Sequence, residues 1–379
     1  SMTMALDNTS SREHDARRIM VNIFSIFKRI TDYIIVPHIE NVDPEWPEKD
    51  FRSIIKSIFC AIIDTDANLQ QTAQSFMDVL INYMSEFSEN VSPRTTCGYY
   101  KLYSYTITLF SSSLFDLKLD NQKREAILDI VVKSLKVRGR LGRNVELTDV
   151  NFDEFLEVER STFPLIFGTV GRGLFVSLYC NRSNVQRLVK AAYREFYMEI
   201  IFHGKISGHL DPSWADNLAF VKSMSEDNYV PSGSVAFQRR LRINILKFVK
   251  HPNAILFDAM SFIYKKWMSL ANVKNMNQEE SSDFRSFGGM IASLSGVLLT
   301  VDTVRYPNLS DMRIDLGHQI NYFISKQCNW LNKPELLTRE SARDILSTEL
   351  HPFAFKSLFS NLKLKIDELK ELDLTAPGH

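Results

Sequence analysis

From Phe51 the large apolar side chains fall at Phe51, Ile54, Ile55, Ile58, Phe59, Ile62 and Ile63. Steps of three and four trace one face of a 3.6-residue helix, and Arg52, Ser53, Lys56 and Ser57 take the other face. Asp64 and the polar residues after it break the run, and a similar period resumes over 69–87. Comparable patterns predict helices near 13–36, 98–115, 120–137, 161–181, 184–202, 212–225, 234–250, 253–271, 283–301, 308–329, 334–348 and 351–372. No stretch keeps strict alternation for more than a few residues, so no amphipathic strand is expected.

Start signals agree with this pattern. Asp50 stands as an N-cap before Phe51, and Pro212 follows Asp211 at a first helical position. Pro252, Pro334 and Pro352 follow His251, Lys333 and His351 in the same way. Glu13, Glu154 and Glu335 put carboxylates into first turns, where the helix dipole favours them. Two joins are longer. Residues 138–150, opening Arg138-Gly139-Arg140-Leu141-Gly142-Arg143, read as a basic, glycine-bearing loop, and 272–283 as a flexible polar loop. The predicted organisation is a helical-repeat segment over 1–271, the loop at 272–283, and a second segment over 284–379 continuing the same solenoid. Helix pairs of roughly 40–47 residues suit an all-α, HEAT/armadillo-like α-solenoid of antiparallel helix pairs. No consensus recurs at that period, so the expectation rests on helix succession and chain length. A compact all-α globule is the rival.

Composition sharpens the picture. The 14 Gly and 12 Pro make up about 7% of the 379 residues, against ~12% in ordinary proteins. A turn-rich sandwich, a propeller or a glycine-rich nucleotide-binding sheet is short of its punctuation here. The 45 Lys and Arg balance 45 Asp and Glu, which gives no electrostatic reason to expect a nucleic-acid partner. Cys60, Cys97, Cys180 and Cys328 form no CxxC pair, so neither a zinc ribbon nor a disulfide framework is expected. The apolar neighbours of Cys60, Cys180 and Cys328 predict buried reduced thiols. Sequons at Asn8, Asn90, Asn181 and Asn308 follow no signal peptide and are expected to be chance matches. No apolar run reaches the ~18–20 residues of a membrane span, and the chain is expected in the cytoplasm.

Candidate chemistry is sparse. Gly168-Thr169-Val170-Gly171-Arg172-Gly173 lacks the Gly-Lys-Ser/Thr ending of a phosphate loop and lies within a helical stretch. Close helix packing or a kink is the expectation there. Lys133, Lys136, Arg138, Arg140 and Arg143 read as a solvated basic run able to grip an acidic partner or a lipid headgroup, without the aromatics that single strands stack on. Arg239, Arg240 and Arg242 form a second basic cluster. His203 and His209 have no carboxylate or thiol at metal-ligand spacing. The pairs Asp64/Asp66 and Glu279/Glu280 lie in polar joins, and no nucleophile elbow occurs. No catalytic, cofactor-binding or metal-ligating residue is assigned.

Two C-terminal segments are more specific. The first runs Asp283-Phe284-Arg285-Ser286-Phe287-Gly288-Gly289-Met290-Ile291-Ala292-Ser293-Leu294-Ser295-Gly296-Val297-Leu298-Leu299. The second runs from Thr338-Arg339-Glu340-Ser341-Ala342-Arg343 through His351-Pro352-Phe353 to Leu358-Phe359-Ser360-Asn361-Leu362. Gly288, Gly289, Ala292, Ser293 and Gly296 would let another element approach closely; the second segment reads as helix, His-Pro corner, helix. Their order and spacing resemble the helical region upstream of the GTPase-activating domain in neurofibromin and the fungal inhibitory regulators of Ras, the Ira proteins. The match reaches back to Lys266-Trp267 and covers about 100 residues; before it there is helical texture and general similarity to Ira-type sequence. In that family an arginine finger in a Phe-Leu-Arg context, on a separate domain, stabilises the transferring phosphoryl group. No Phe-Leu-Arg occurs in this chain and Arg172 does not match it. The resemblance therefore implies a non-catalytic scaffold of a negative regulator of Ras. It would meet protein partners, with Ras contacted through a separate domain, and self-association and peripheral membrane contact would be open to it. No cofactor and no nucleic acid are implied. An unrelated helical-repeat adaptor for transport or trafficking, and an all-α enzyme with an apolar pocket among the many Phe, remain the alternatives.

Overall fold

The structure, a computed structural model, describes residues 13–29, 48–87, 93–146, 152–208, 210–251, 253–273, 275–300 and 310–371. Among these every regular element is helical. The α-helices are α1 (13–29), α2 (Glu48–Ile62), α3 (Ala67–Phe87), α4 (Pro93–Ser113), α5 (Asn121–Glu146), α6 (Phe152–Ser177) and α7 (Ser183–Ser207), then α8 (Ala215–Ser225), α9 (Ser234–Lys250), α10 (Ala254–Ala271), α11 (Gln278–Thr300), α12 (Ser310–Trp330), α13 (Leu336–Asp344) and α14 (Phe355–Glu371). Single 3₁₀ turns at Pro212–Trp214 and Pro352–Ala354 precede α8 and α14, and a π-helical turn, Ile345–Glu349, follows α13. Of the expected features, 30–36, 301, 308–309, 372, Asn8, Asn90, Asn308, His209 and Pro252 lie outside the described residues.

Several boundaries differ from the pattern reading. Asp50, expected as an N-cap, is inside α2, which begins two residues earlier at Glu48. Residues 138–146 are the last turns of α5, not a loop. Residues 278–283 are the first turns of α11, in place of the expected end of the polar loop. A capping box explains that start. Asn277 Oδ1 accepts from the Glu280 N–H at 2.8 Å, and Glu280 Oε2 accepts from the Asn277 N–H at 2.9 Å. Helix α6 begins at Phe152 and carries Pro164 in its interior, at the cost of one backbone hydrogen bond. Asp153 and Glu154 occupy its first turn, as the dipole favours. Glu335 is the residue before α13 instead of a first-turn residue. The acidic pair at 64 and 66 also serves the backbone. Asp66 Oδ1 accepts from Leu69 N at 2.8 Å and opens α3.

Contacts divide the chain into two compact units, one of Ser1–Ser177 with Asn184–Pro212, the other of Leu178–Ser183 with Ser213–His379. In the first, α4 packs on α5 and α6, α2 on α3, and α3 on α5. Gly173 of α6 lies against α4; a Cβ there would meet Leu114 Cδ1 at 2.8 Å and the Ser111 carbonyl at 2.9 Å. Of the glycines in 168–173, Gly173 thus serves close helix packing, whereas a Cβ on Gly168 would meet only Arg172 Nη2 at 3.8 Å.

In the second unit α11 packs on α9, α10 and α12. Trp267 is fully buried and meets Phe323 at 4.8 Å, Trp330 at 5.5 Å and Phe284 at 6.1 Å between ring centroids. The small residues of α11 receive the chain that follows α13. The His351 ring fills the space over Gly296, where an added Cβ would come within 1.9 Å of Nδ1. The His351 N–H donates to the Ala292 carbonyl at 3.2 Å. His351 Nδ1 in turn accepts from Phe353 N at 3.3 Å, which opens the His-Pro corner.

Candidate functional site

The basic run of α5 separates into two fates. Arg138 is fully buried. Its Nη2 and Nη1 donate to Glu159 of α6 and Glu199 of α7, and its Nε donates to Ser104 Oγ at 2.9 Å. The Tyr100 ring lies 4.0 Å from the guanidinium, and Tyr100 donates to Glu159 Oε2 at 2.6 Å. His203 Nδ1 stands 2.9 Å from Glu159 Oε1, and its ring stacks on Phe163 at 4.1 Å. Burial alone would push the Glu159 carboxyl up, but the Arg138 charge and the hydrogen bonds from His203 and Tyr100 outweigh it and hold the group below the usual range. The same burial, helped by Glu159, drives the Tyr100 phenol well up. Four helices meet in this cluster. It is sealed from solvent, so it is a structural ionic core, and Arg138 does not belong to a solvated run. Lys133 bridges Asp78 and Asp129 at 2.6 and 2.5 Å, which leaves Lys136, Arg140 and Arg143 as the exposed cations of α5.

The other candidates are likewise engaged. Arg172 Nε donates to the Gly168 carbonyl of its own helix at 3.0 Å. Arg240 pairs with Asp227 and Arg242 with Glu349, while Arg239 is exposed. Glu279 pairs with Arg182 at 3.2 Å. Among the described residues no group of three His, Cys, Asp or Glu could hold a metal ion, and no helix is long and apolar enough to cross a membrane.

Two concavities bear on the enzyme and adaptor alternatives. An apolar cavity lined by Phe51, Ile55, Met77, Leu80, Tyr99 and Tyr103 measures about 30 Å³, far below the ~300–1,000 Å³ of small-molecule sites. The larger feature is an open groove of about 700 Å³ in the first unit. Helices α3, α5 and α7 all meet it with their first turns, through Ala67 to Gln74, Gln122 to Asp129 and Asn184 to Leu188. Its rim carries Gln70, Gln71, Gln74, Gln122, Asn184 and Arg187. Sequence reading missed it because these residues are unremarkable singly and are brought together only by the fold.

The cysteines correct one expectation. Cys60 is exposed, on an open groove with Arg17, Lys56 and Asp64, whereas Cys97, Cys180 and Cys328 are buried and no pair is bonded. The outer face of α2 turns Cys60 to solvent despite its apolar neighbours. Burial, with Glu154 adding, pushes the Cys97 thiol up to about 11, and burial also raises Cys328. In native protein at pH 8 a disulfide reagent should therefore modify one thiol per chain quickly, and Cys60→Ser should abolish that fast phase. Two or more fast thiols would contradict the packing described.

No family model matches the chain. Two proteins of Saccharomyces cerevisiae are similar along nearly all of it. Inhibitory regulator protein IRA2 is 50% identical over 366 residues, and inhibitory regulator protein IRA1 is 44% identical over 389 residues, each covering 96% of this chain. The similarity thus extends well beyond the C-terminal 100 residues that carried the resemblance. The chain spans 12% of the length of either relative.

Proposed function

Because this chain is homologous along 96% of its length to one segment of the Ira inhibitory regulators, we propose that it is a non-catalytic α-solenoid region of a Ras GTPase-activating protein. Its task is to position the catalytic domain and to present surfaces to protein partners, and so to help restrain Ras signalling from the cytoplasm or the face of a membrane. The homology is the observation that carries this reading. Two features of the molecule support it. The alternate helices α3, α5 and α7 bring their N-terminal turns to one groove, as a stack of antiparallel pairs requires. Arg172, the arginine of the Gly-Arg-Gly motif that does not match a finger, donates to the Gly168 carbonyl of its own helix.

The test is single-turnover GTP hydrolysis by Ras with this chain in excess, beside a longer chain carrying the catalytic domain. This chain alone should leave the rate unchanged. The longer chain should raise it by about 10³–10⁵, the range of a supplied arginine finger. Acceleration by this chain alone would overturn the non-catalytic reading, and inactivity of both would overturn the link to Ras.

A further inference from the structure

Carboxamides are the commonest polar groups on the groove bounded by α3, α5 and α7, beside the charged Lys123, Glu125, Asp129 and Arg187. Gln70, Gln71, Gln74, Gln122 and Asn184 place five carboxamides along it. Two serve the fold: Gln70 Nε2 donates to the Asp64 carbonyl, and Asn184 Nδ2 donates to Glu125 Oε1 at 3.0 Å. Gln71, Gln74 and Gln122 have no hydrogen-bond partner among the described residues. The charges are also unevenly committed. Asp129 holds Lys133, Glu125 accepts from Asn184, and Lys123 stands 3.5 Å from Asp120. Arg187 is exposed and makes no ion pair among the described residues.

A primary carboxamide offers two donors and one acceptor, which matches a peptide unit with its one donor and one acceptor. A helical partner would gain little from such groups, because its own N–H and C=O groups are already paired. It would also need an apolar stripe, and only Ile62, Ala67, Ala126 and Leu188 supply apolar surface here. An extended strand has unpaired main-chain groups at every residue. Packed helices such as α3 and α5 lie about 8–10 Å apart, close to the ~10 Å rise of three extended residues, so the amides of Gln71 and Gln74 on α3 and of Gln122 on α5 would meet a strand about three residues apart.

We infer that this groove binds an extended polypeptide segment through its main chain, with an acidic side chain of the segment at Arg187. This names the partner class for the partner-presenting role proposed above. It can fail while the Ras reading stands, because its test contains neither Ras nor nucleotide. The probe is an array of randomised 12-residue peptides without Gly or Pro, one position fixed as Glu in one set and as Lys in the other. The chain should bind the Glu set above the Lys set and above a Gly-Ser control. Replacing both Gln71→Ala and Gln74→Ala should weaken binding about tenfold for two lost hydrogen bonds, and Arg187→Glu should reverse the charge preference. These side chains lie on the groove surface, so helical content by circular dichroism should be unchanged. N-methylation of alternate peptide nitrogens in the best binder should weaken it about tenfold in one register. The inference is overturned by binding no better than the control, by indifference to N-methylation in both registers, or by an unchanged charge preference in Arg187→Glu.

Discussion

Replacing Arg138 by Met is expected to cost the first unit about 3–5 kcal/mol, the usual penalty for removing one partner of a buried ion pair. Glu159 and Glu199, at 0% and 2% exposure, would be left facing each other across a site that water does not reach. For a unit of this size the loss should lower the melting temperature by roughly 6–20 °C. The change of shape is small, so the cause is charge, and a charge-neutral repair should reveal it. Arg138→Met combined with Glu159→Gln and Glu199→Gln should recover most of the loss, since uncharged replacements of a buried ionic group are often near neutral. Calorimetry on the three proteins checks this; a single variant melting within 2 °C of the parent would show that the cluster does not hold the unit together. The pH dependence follows from Glu159. Its carboxyl is held below the usual range in the folded protein, so its stabilisation is complete above the unfolded value of about 4.3 and is lost as pH falls through the folded value. The parent should therefore lose stability in acid more steeply than the triple variant.

The glycine motif of α6 gives the second large effect, through a contrast within six residues. Gly173→Ala would drive a methyl into the Ser111 carbonyl and Leu114. A backbone atom cannot turn aside as a side chain can, so overpacking should cost about 1–3 kcal/mol. At Gly168 an added Cβ meets only Arg172 Nη2, at 3.8 Å. There Gly168→Ala should be neutral or stabilising by up to ~1 kcal/mol, because alanine is the better helix former. A phosphate-binding loop would need both glycines for backbone approach, so opposite signs of effect, read as melting temperatures, distinguish packing from ligand binding. Equal losses at both positions would contradict the packing account.

Much of the helical fold was legible because a helix that covers a core must repeat its apolar residues every three to four positions. The face from Phe51 to Ile63 and the small-residue side of α11 follow directly from that geometry. The failures are equally physical. Arg138 lies in the run Arg-Gly-Arg-Leu-Gly-Arg, which locally resembles a solvated loop, but Glu159 and Glu199 stand 21 and 61 residues away and only the packing of α5, α6 and α7 unites them. The early start of α11 did have a local signal, Asn277 followed three residues later by Glu280, that its polar setting concealed. The groove had none, since Gln71, Gln122 and Arg187 acquire meaning only as neighbours.

The π-helical turn at Ile345–Glu349 holds one residue more than an α-helical turn would, closed by the Leu350 N–H on the Ile345 carbonyl at 3.0 Å. The turn thereby absorbs one residue. Deleting one residue within it should relax it to α geometry, because four α-helical residues at about 100° and 1.5 Å each cover nearly the rotation and rise of five in a π turn. The His351 ring should then keep its seat over Gly296, and the helical content should be unchanged. Over evolutionary time, 345–349 is a place where a single residue can be gained or lost inside a packed element, with the change confined to one turn.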